Sequence, residues 1–277
     1  MEKVSNIIPY FINQLNSLAQ EREIISWAYL SIDFLLGYNR SDCIIHANKE
    51  ITSHMLDRIN QIIAELKTNK PIQHIIGETK FYGLKLKVNE HTLIPRPETE
   101  ELVQWILDHE FTSALDIGTG SGCISIAVKK NKNVEVSAID VSKSALIVAK
   151  ENAIINEVEI NFLLQDILKT TTLPKVDMII SNPPYLLDKE KELMLANVLD
   201  NEPHLALFVP NNNPLLFYKK IANLAFISLS KNGLLFFEIN ERFGDETVAM
   251  LSAIGFVDIE LKKDINEKDR MIKAIKN

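Results

Sequence analysis

The stretch LDIGTGSG, Leu115 to Gly122, runs a short strand-like segment into three alternating glycines, and its reading decides the fold. Asp116 falls near the strand end, while Gly118, Gly120 and Gly122 occupy the turn into a helix, where missing side chains let the backbone approach a ligand. Taken alone, the turn leaves two readings open: a loop that binds something nucleotide-like, or a tight βα turn that serves packing. Its spacing is G-x-G-x-G, and Cys123 stands where a dinucleotide fingerprint needs its third glycine.

Outward from this turn, short apolar runs alternate with amphipathic segments: SALDIG, VEVSAID, EINFLLQD, KVDMIIS, GLLFFEI, FVDIELK and RMIKAIK. Such alternation predicts parallel strands joined by helical crossovers, hence an α/β, doubly wound, seven-stranded domain over 96–277. Only KDINEKD separates the last two runs, so they should form an antiparallel pair at the end of the sheet. Three polar features fall at strand ends, where this fold class binds ligands. Asp140 closes VSAID, placed to accept both hydroxyls of a ribose or to cap the next helix through DVSKSA. Asp166 closes LLQDI, as a partner for an adenine amine or as a turn residue. NPPY, Asn182 to Tyr185, follows KVDMIIS; each proline removes a donor and drives the residue before it into extended geometry, giving a rigid strand end.

Residues 1–72 contain one glycine, Gly37, and apolar residues at helical spacing such as Leu56, Ile59, Ile63 and Leu66, which predicts a small helical bundle. Ser41 or Asp42 is expected to cap a short helix after Gly37, and Pro71 to close the last one. From Gln73 the texture alternates around Gly77 and Gly83, predicting a β-hairpin linker over 73–95. In LIPRPETEELVQWIL, Pro97 suits a first helical turn, with Glu98, Glu100 and Glu101 at its positive end. Among 277 residues, 46% hydrophobic and 24% charged, two cores are expected. A net charge of -7 gives no general drive toward nucleic acid. Cys43 and Cys123 lie far apart, and the six histidines, including His46, form no ligand spacing, so neither a disulfide framework nor a metal site is expected. No apolar run has the length of a membrane span, and a cytoplasmic protein is the expectation.

In this order, DIGTGSG, AID, QDI and NPPY resemble the S-adenosylmethionine-dependent methyltransferases that modify planar nitrogen atoms. QHIIGETKFYG, LIPRPETEELV and EPHLAL further resemble linker and loop signatures of the protein-(glutamine-N5) methyltransferases, the HemK/PrmC family, and the likeness covers nearly the whole chain. It implies a class I methyltransferase domain that holds S-adenosyl-L-methionine, leaving S-adenosyl-L-homocysteine, through Gly118, Thr119, Gly120, Ser121, Gly122, Asp140, Asp166, Ile167 and Asn182, with no metal. It also implies that 1–72 recognises a class 1 peptide chain release factor, whose Gly-Gly-Gln glutamine is methylated on its side-chain nitrogen. Asn182 and the backbone carbonyl of Pro183 would accept the two amide N–H bonds, Pro184 would stiffen the turn, and Tyr185 would stack on the amide. No general base is required, and a monomer is expected. One departure from the pattern is Glu267, where the family usually has a glycine, which bears on Arg270.

Glu202 and Pro203 shape a loop over the pocket or end a helix; Phe81 and Tyr82 wall the site or pack into a core; Arg96 organises a helix start. Three further functions compete: a glutamine methyltransferase of a ribosomal protein, an adenine or cytosine amino-methyltransferase, and a cofactor-binding module without turnover. The acidic balance and the lack of a recognition domain for flipped bases weigh against the second, and intact Asn182 and Tyr185 against the third.

Overall fold

Apolar residues three and four apart build the N-terminal helices: α1 (Ile7–Leu15), α2 (Glu21–Leu36), α3 (Arg40–Ile45), α4 (Ser53–Leu66) and α5 (Ile72–Ile76). The computed structural model describes residues 3–193 and 196–277, which divide into two units, 3–77 with 196–201 and 78–193 with 202–277. In the first unit, Ile7, Phe11 and Leu15 of α1 meet Ile24 and Ile32 of α2 and Ile59, Ile62 and Leu66 of α4. Each such burial contributes about 1.5–3 kcal/mol, so this set rather than helix propensity holds the bundle.

The caps differ from expectation in two places. Helix α3 starts on Asn39 rather than Ser41 or Asp42: Asn39 Oδ1 accepts from the Asp42 N–H at 3.0 Å and Asp42 Oδ2 accepts from the Asn39 N–H at 3.0 Å, a reciprocal capping box with Asp42 inside the helix. Pro71 opens a helix instead of closing the helical segment. Its carbonyl accepts from His74 and Ile75, α5 buries Ile72 and Ile75 in the helical core, and Gly77 ends the helix in the left-handed region. The hairpin expected from Gln73 therefore begins at Glu78, because the apolar residues before it serve the bundle.

The second unit opens with that hairpin, β1 (Glu78–Phe81) and β2 (Leu84–Lys87), turning through Tyr82 and Gly83 at φ 48 and 74°, as a type I′ turn requires. Helix α6 (Pro97–Leu107) follows, with its proline in the first turn. Then come β3 (Ser113–Ile117), α7 (Cys123–Asn131), β4 (Glu135–Asp140), α8 (Lys143–Ile155), β5 (Asn161–Leu164), β6 (Val176–Ser181) and β7 (Leu186–Leu187). The short α9 (Ala196–Leu199) groups with the first unit, where Asn201 donates to the Asn69 carbonyl at 3.2 Å. The chain ends with α10 (His204–Leu207), β8 (Phe208–Val209), α11 (Leu216–Ser228), β9 (Leu229–Glu238), α12 (Gly244–Ile254), β10 (Phe256–Lys263) and β11 (Asp269–Lys276).

Seven strands form one doubly wound sheet in the order β10-β11-β9-β6-β3-β4-β5. The five strands from β9 to β5 are parallel, and β11 runs antiparallel between β9 and β10. Central strands are apolar on both faces because helices cover both. Ala114, Met178 and Phe236 pack with residues of α6 and α7, while Leu115, Ile179 and Leu235 pack with residues of α11. The chain moves outward from β3 to β5 and then returns to β6 on the other side of β3, which opens a crevice at the carboxyl ends of β3 and β6. No described helix is long and apolar enough to cross a membrane.

The turn between β10 and β11 explains the departure at Glu267. The buried Asp264 carboxylate accepts from the N–H groups of Asn266 (2.9 Å) and Lys268 (3.1 Å) and from Arg270 Nε (3.0 Å). Burial disfavours its charge, but these bonds prevail and hold its pKa below the usual carboxylate range. The arrangement forces Glu267 to φ 61°, the left-handed region that a glycine enters freely. Glu267→Gly is expected to stabilise the seven-stranded unit by about 0.5–1 kcal/mol, read as a higher urea midpoint; a lower midpoint would mean that the turn carries no strain.

Candidate active site

Register brings the two sequence signatures together. Ile117 pairs with Ser181, so the glycine turn after β3 and NPPY after β6 leave the sheet side by side. Gly118, Gly120 and Gly122 hold φ of 75, 56 and 82°. Most of the turn's N–H groups serve the turn itself: Gly118 and Thr119 donate to the Ile139 carbonyl, Gly120 to Asp140 Oδ2 at 2.9 Å, and Gly122 to the Thr119 carbonyl. A loop that spends its donors this way is not a phosphate cradle. What Gly118 and Gly120 offer is room: a Cβ on either would meet nothing within 4 Å, and both line a cavity. Gly122 differs, since its Cβ would meet Ile126 Cδ1 at 2.9 Å and Ala149 Cβ at 3.2 Å; it sets close packing of α7 on α8.

The cavity gathers several of the expected residues. Gly118, Gly120, Asp140, Asp166, Ile167 and Asn182 line it, with Pro183 and Pro184. Asp140 is not the helix cap: Ser142 Oγ caps α8 by accepting from the Ala145 N–H at 3.2 Å. Asp140 Oδ1 instead accepts from the Ser142 N–H (2.8 Å), and burial raises its pKa against these bonds. Asp166 Oδ1 accepts from the Leu168 N–H at 3.0 Å, and Lys169 Nζ stands 3.2 Å from the other oxygen. The opposite walls come from Thr92 and Leu93 and from Pro203, Leu205 and Ala206. Buried Glu202 ties these walls, accepting from the Ile94 N–H at 3.2 Å and from Arg96 Nη2 at 2.6 Å.

Thr119, Ser121, Gly122 and Tyr185 stand outside the cavity lining. Thr119 donates to Asp116 Oδ2 at 2.6 Å and shares a hydrogen bond with Ser125. Asp116 is fully buried, and its Oδ1 and the Ser121 hydroxyl have no protein partner among the described residues. Burial, opposed by the Thr119 and Ser125 hydroxyls and aided by the Asp140 charge, pushes Asp116 up to about 6. The Tyr185 hydroxyl points away from the cavity to Glu238 Oε1 at 3.3 Å, and burial drives its pKa well up, so it stays a neutral donor.

Phe81 is buried in the core, and Tyr82 holds α6 through Glu100 and Gln104, so the hairpin aromatics pack rather than wall the cavity. Cys43 and Cys123 are free, and burial pushes the Cys123 thiol up to about 12. His46 stacks on Tyr38 at 4.8 Å. Among the described residues, no group of three or more His, Cys, Asp or Glu is placed to hold a metal ion. Sequence reasoning missed Thr92, Leu93, Thr99 and Glu238. Only Glu238 left a signal, as a lone carboxylate closing the apolar run GLLFF.

A Methyltransferase small domain model matches residues 97–207, and a PrmC N-terminal domain model matches residues 10–77. The release factor glutamine methyltransferase of Flavobacterium psychrophilum is 47% identical over 98% of this chain and 98% of its own, and that of Bacteroides thetaiotaomicron is 37% identical over 98% and 99%. The chain belongs to the release factor glutamine methyltransferase family. A crystal structure of a methyltransferase from Pyrococcus furiosus shares the fold, with a TM-score of 0.56 and 18% identity over 82% of this chain and 100% of the other. In a methyltransferase of this family, a carboxylate as deeply buried as Asp116 weakens the fold at neutral pH. Because its folded pKa is raised, its contribution is most favourable below the unfolded value near 4 and is lost as pH rises through about 6. Asp116→Asn should therefore stabilise the ligand-free enzyme at pH 7.5 by up to about 3 kcal/mol and have little effect at pH 4; equal effects at both pH values would contradict this.

Proposed function

We propose that this enzyme transfers a methyl group from S-adenosylmethionine to the side-chain nitrogen of the Gly-Gly-Gln glutamine in class 1 peptide chain release factors. The observation that supports this most directly is the Ile117–Ser181 register pair, which sets the glycine turn beside NPPY in a chain 47% identical to a release factor glutamine methyltransferase. The helical unit, expected at 1–72, would recognise the release factor. The reaction belongs in the cytoplasm, with the enzyme acting as a monomer.

The cavity suits the cofactor. Gly118 and Gly120 leave space that any side chain would fill, the Asp140 carboxylate faces it, and its other lining is mostly apolar, as a nucleoside with a thioether chain needs. When bound, S-adenosylmethionine supplies a methyl group on a positively charged sulfur. Asp140 would take the ribose hydroxyls, Asp166 the adenine amine, and Ile167 a face of the base. Thr119, Ser121 and Gly122 would act through the shape of the turn.

A carboxamide nitrogen is a weak nucleophile because its lone pair is delocalised into the carbonyl. The side-chain oxygen of Asn182 and the Pro183 carbonyl would accept its two N–H bonds and stabilise positive charge as it develops there, a preorganised electrostatic effect. Prolines at 183 and 184 restrict the backbone, so the Pro183 carbonyl needs little reorganisation. Among the described residues, no hydrogen bond engages the Asn182 side chain, which leaves it for substrate. With a neutral Tyr185, the surplus proton passes to water after transfer.

Asn182→Ala is expected to lower kcat about 10²–10³-fold, by analogy with loss of one oxyanion-hole contact, and to weaken S-adenosylmethionine binding by much less, since Asn182 is one of many residues lining the cavity. Mass spectrometry of a purified release factor, a ribosomal protein and RNA after incubation reads the substrate. Methyl addition to either alternative and not to the release factor would overturn the assignment.

A further inference from the structure

Glu238, the last residue of β9, is 1% exposed and lies outside the cofactor cavity. Each of its oxygens receives one hydroxyl: Thr99 Oγ donates to Oε2 at 2.7 Å, and Tyr185 donates to Oε1 at 3.3 Å. Thr99 is itself buried on α6, so the second carboxylate oxygen is held by a different element from the one that carries Tyr185. The backbone nearby is also tied, since Tyr218 donates to the Glu238 carbonyl at 3.1 Å and Asn240 Nδ2 donates to the Tyr185 carbonyl at 3.0 Å. Arg270, held by Asp264, reaches the Ile239 carbonyl at 3.3 Å and brings positive charge to this buried end of the strand.

Packing does not account for this cluster. Met178, Ile180 and Phe236 on the same face are apolar, and an apolar residue at 238 would avoid desolvating a carboxylate. A phenylalanine at 185 would fill the same space without needing a buried acceptor. The cluster grips Tyr185 at both its hydroxyl and its carbonyl, while the residue as a whole is only part-buried and keeps accessible surface.

We propose that Glu238 is a positioning residue for methyl transfer: with Thr99 orienting its carboxylate, it anchors the Tyr185 hydroxyl so that the ring presents one fixed face to the substrate amide. This rests on the reading of NPPY as the methyl-transfer turn. Tyrosine has two side-chain torsions, and anchoring its far end removes the freedom that backbone rigidity alone leaves to the ring.

Steady-state kinetics with a purified release factor, calorimetric titration of S-adenosylmethionine and a double-mutant cycle test the proposal. Glu238→Ala should lower kcat about 10- to 100-fold, the scale of a misplaced reacting group, with S-adenosylmethionine Kd unchanged. Tyr185→Phe should show a similar loss, and adding Glu238→Ala to it should cost less than about 2-fold more, because residues acting as a unit are not additive. Glu238→Gln should recover most of kcat, since its amide oxygen still accepts from Tyr185 and its NH2 can donate to Thr99. Normal kcat in Glu238→Ala beside an inactive Tyr185→Ala would overturn the positioning role and spare the NPPY reading. Additive losses in the cycle, or a Kd that weakens in step with kcat, would also overturn it. Normal turnover in both Asn182→Ala and Tyr185→Ala would remove the NPPY reading and this proposal with it. If Glu238→Ala does not fold, a Thr99→Val/Tyr185→Phe cycle gives the same decision.

Discussion

Parallel pairing of β3 with β6 is the constraint on which the rest of the site depends. The strand order reverses there, so the connections leaving the two strands diverge and cannot fill the space above them. Ser181 adds a side-chain bond to the pairing, its hydroxyl donating to the Ile117 carbonyl at 2.7 Å. A slip of one residue would move the glycine turn about 3.3 Å relative to NPPY and turn every buried side chain of β6 to the wrong face. Because Leu115, Ile117 and Ile179 are fully buried, the apolar core fixes this register, and the geometry of the site follows from it.

Polar groups are concentrated at one edge of an otherwise apolar sheet. Asp116, Asp140 and Glu238 each end or nearly end a parallel strand, each is buried, and burial raises the pKa of all three. Their placement follows from the architecture, since only at strand ends can loop N–H groups and helix hydroxyls supply partners. The partners differ in kind. Asp140 is held by backbone N–H groups and faces the cavity, Glu238 is held by two hydroxyls and faces NPPY, and Asp116 keeps one oxygen without a partner among the described residues. An incompletely satisfied carboxylate in a native fold is costly, and such cost gathers where binding or chemistry offsets it.

The fold was largely legible because its signals are local. Helical spacing gave the bundle, apolar runs between amphipathic segments gave the doubly wound sheet, and the short KDINEKD loop gave the antiparallel end. The start of the hairpin was misread because Ile72 and Ile75 suit a strand as well as one helical turn, and only their burial in the bundle decides between them. At the site, Gly118, Gly120, Asp140 and Asn182 could be found from motif and strand-end position. Thr99 could not, because its partner Glu238 lies 139 residues away, and no pattern of spacing reports a contact made across the sheet edge. The role of Gly122 was likewise hidden: its sequence context matches its neighbours in the turn, yet the atoms facing its missing Cβ are helix side chains.

Among the described residues, the two titratable groups tied together at NPPY, Tyr185 and Glu238, bear on the chemistry that the proposed mechanism demands. Tyr185 is held neutral by burial and by the nearby Glu238 charge, and both oxygens of Glu238 are already occupied by hydroxyls. Neither is poised to remove a proton from an amide near pH 7. Nucleophilicity must then come from acceptors already in place, which is what two successive prolines after Asn182 favour, because a carbonyl that cannot turn away loses nothing to reorganisation as charge develops. In the proposed mechanism rigidity is thus a chemical requirement at this turn, and the ties from Asn240 and Glu238 to Tyr185 would extend it from the backbone to the aromatic ring that closes the motif.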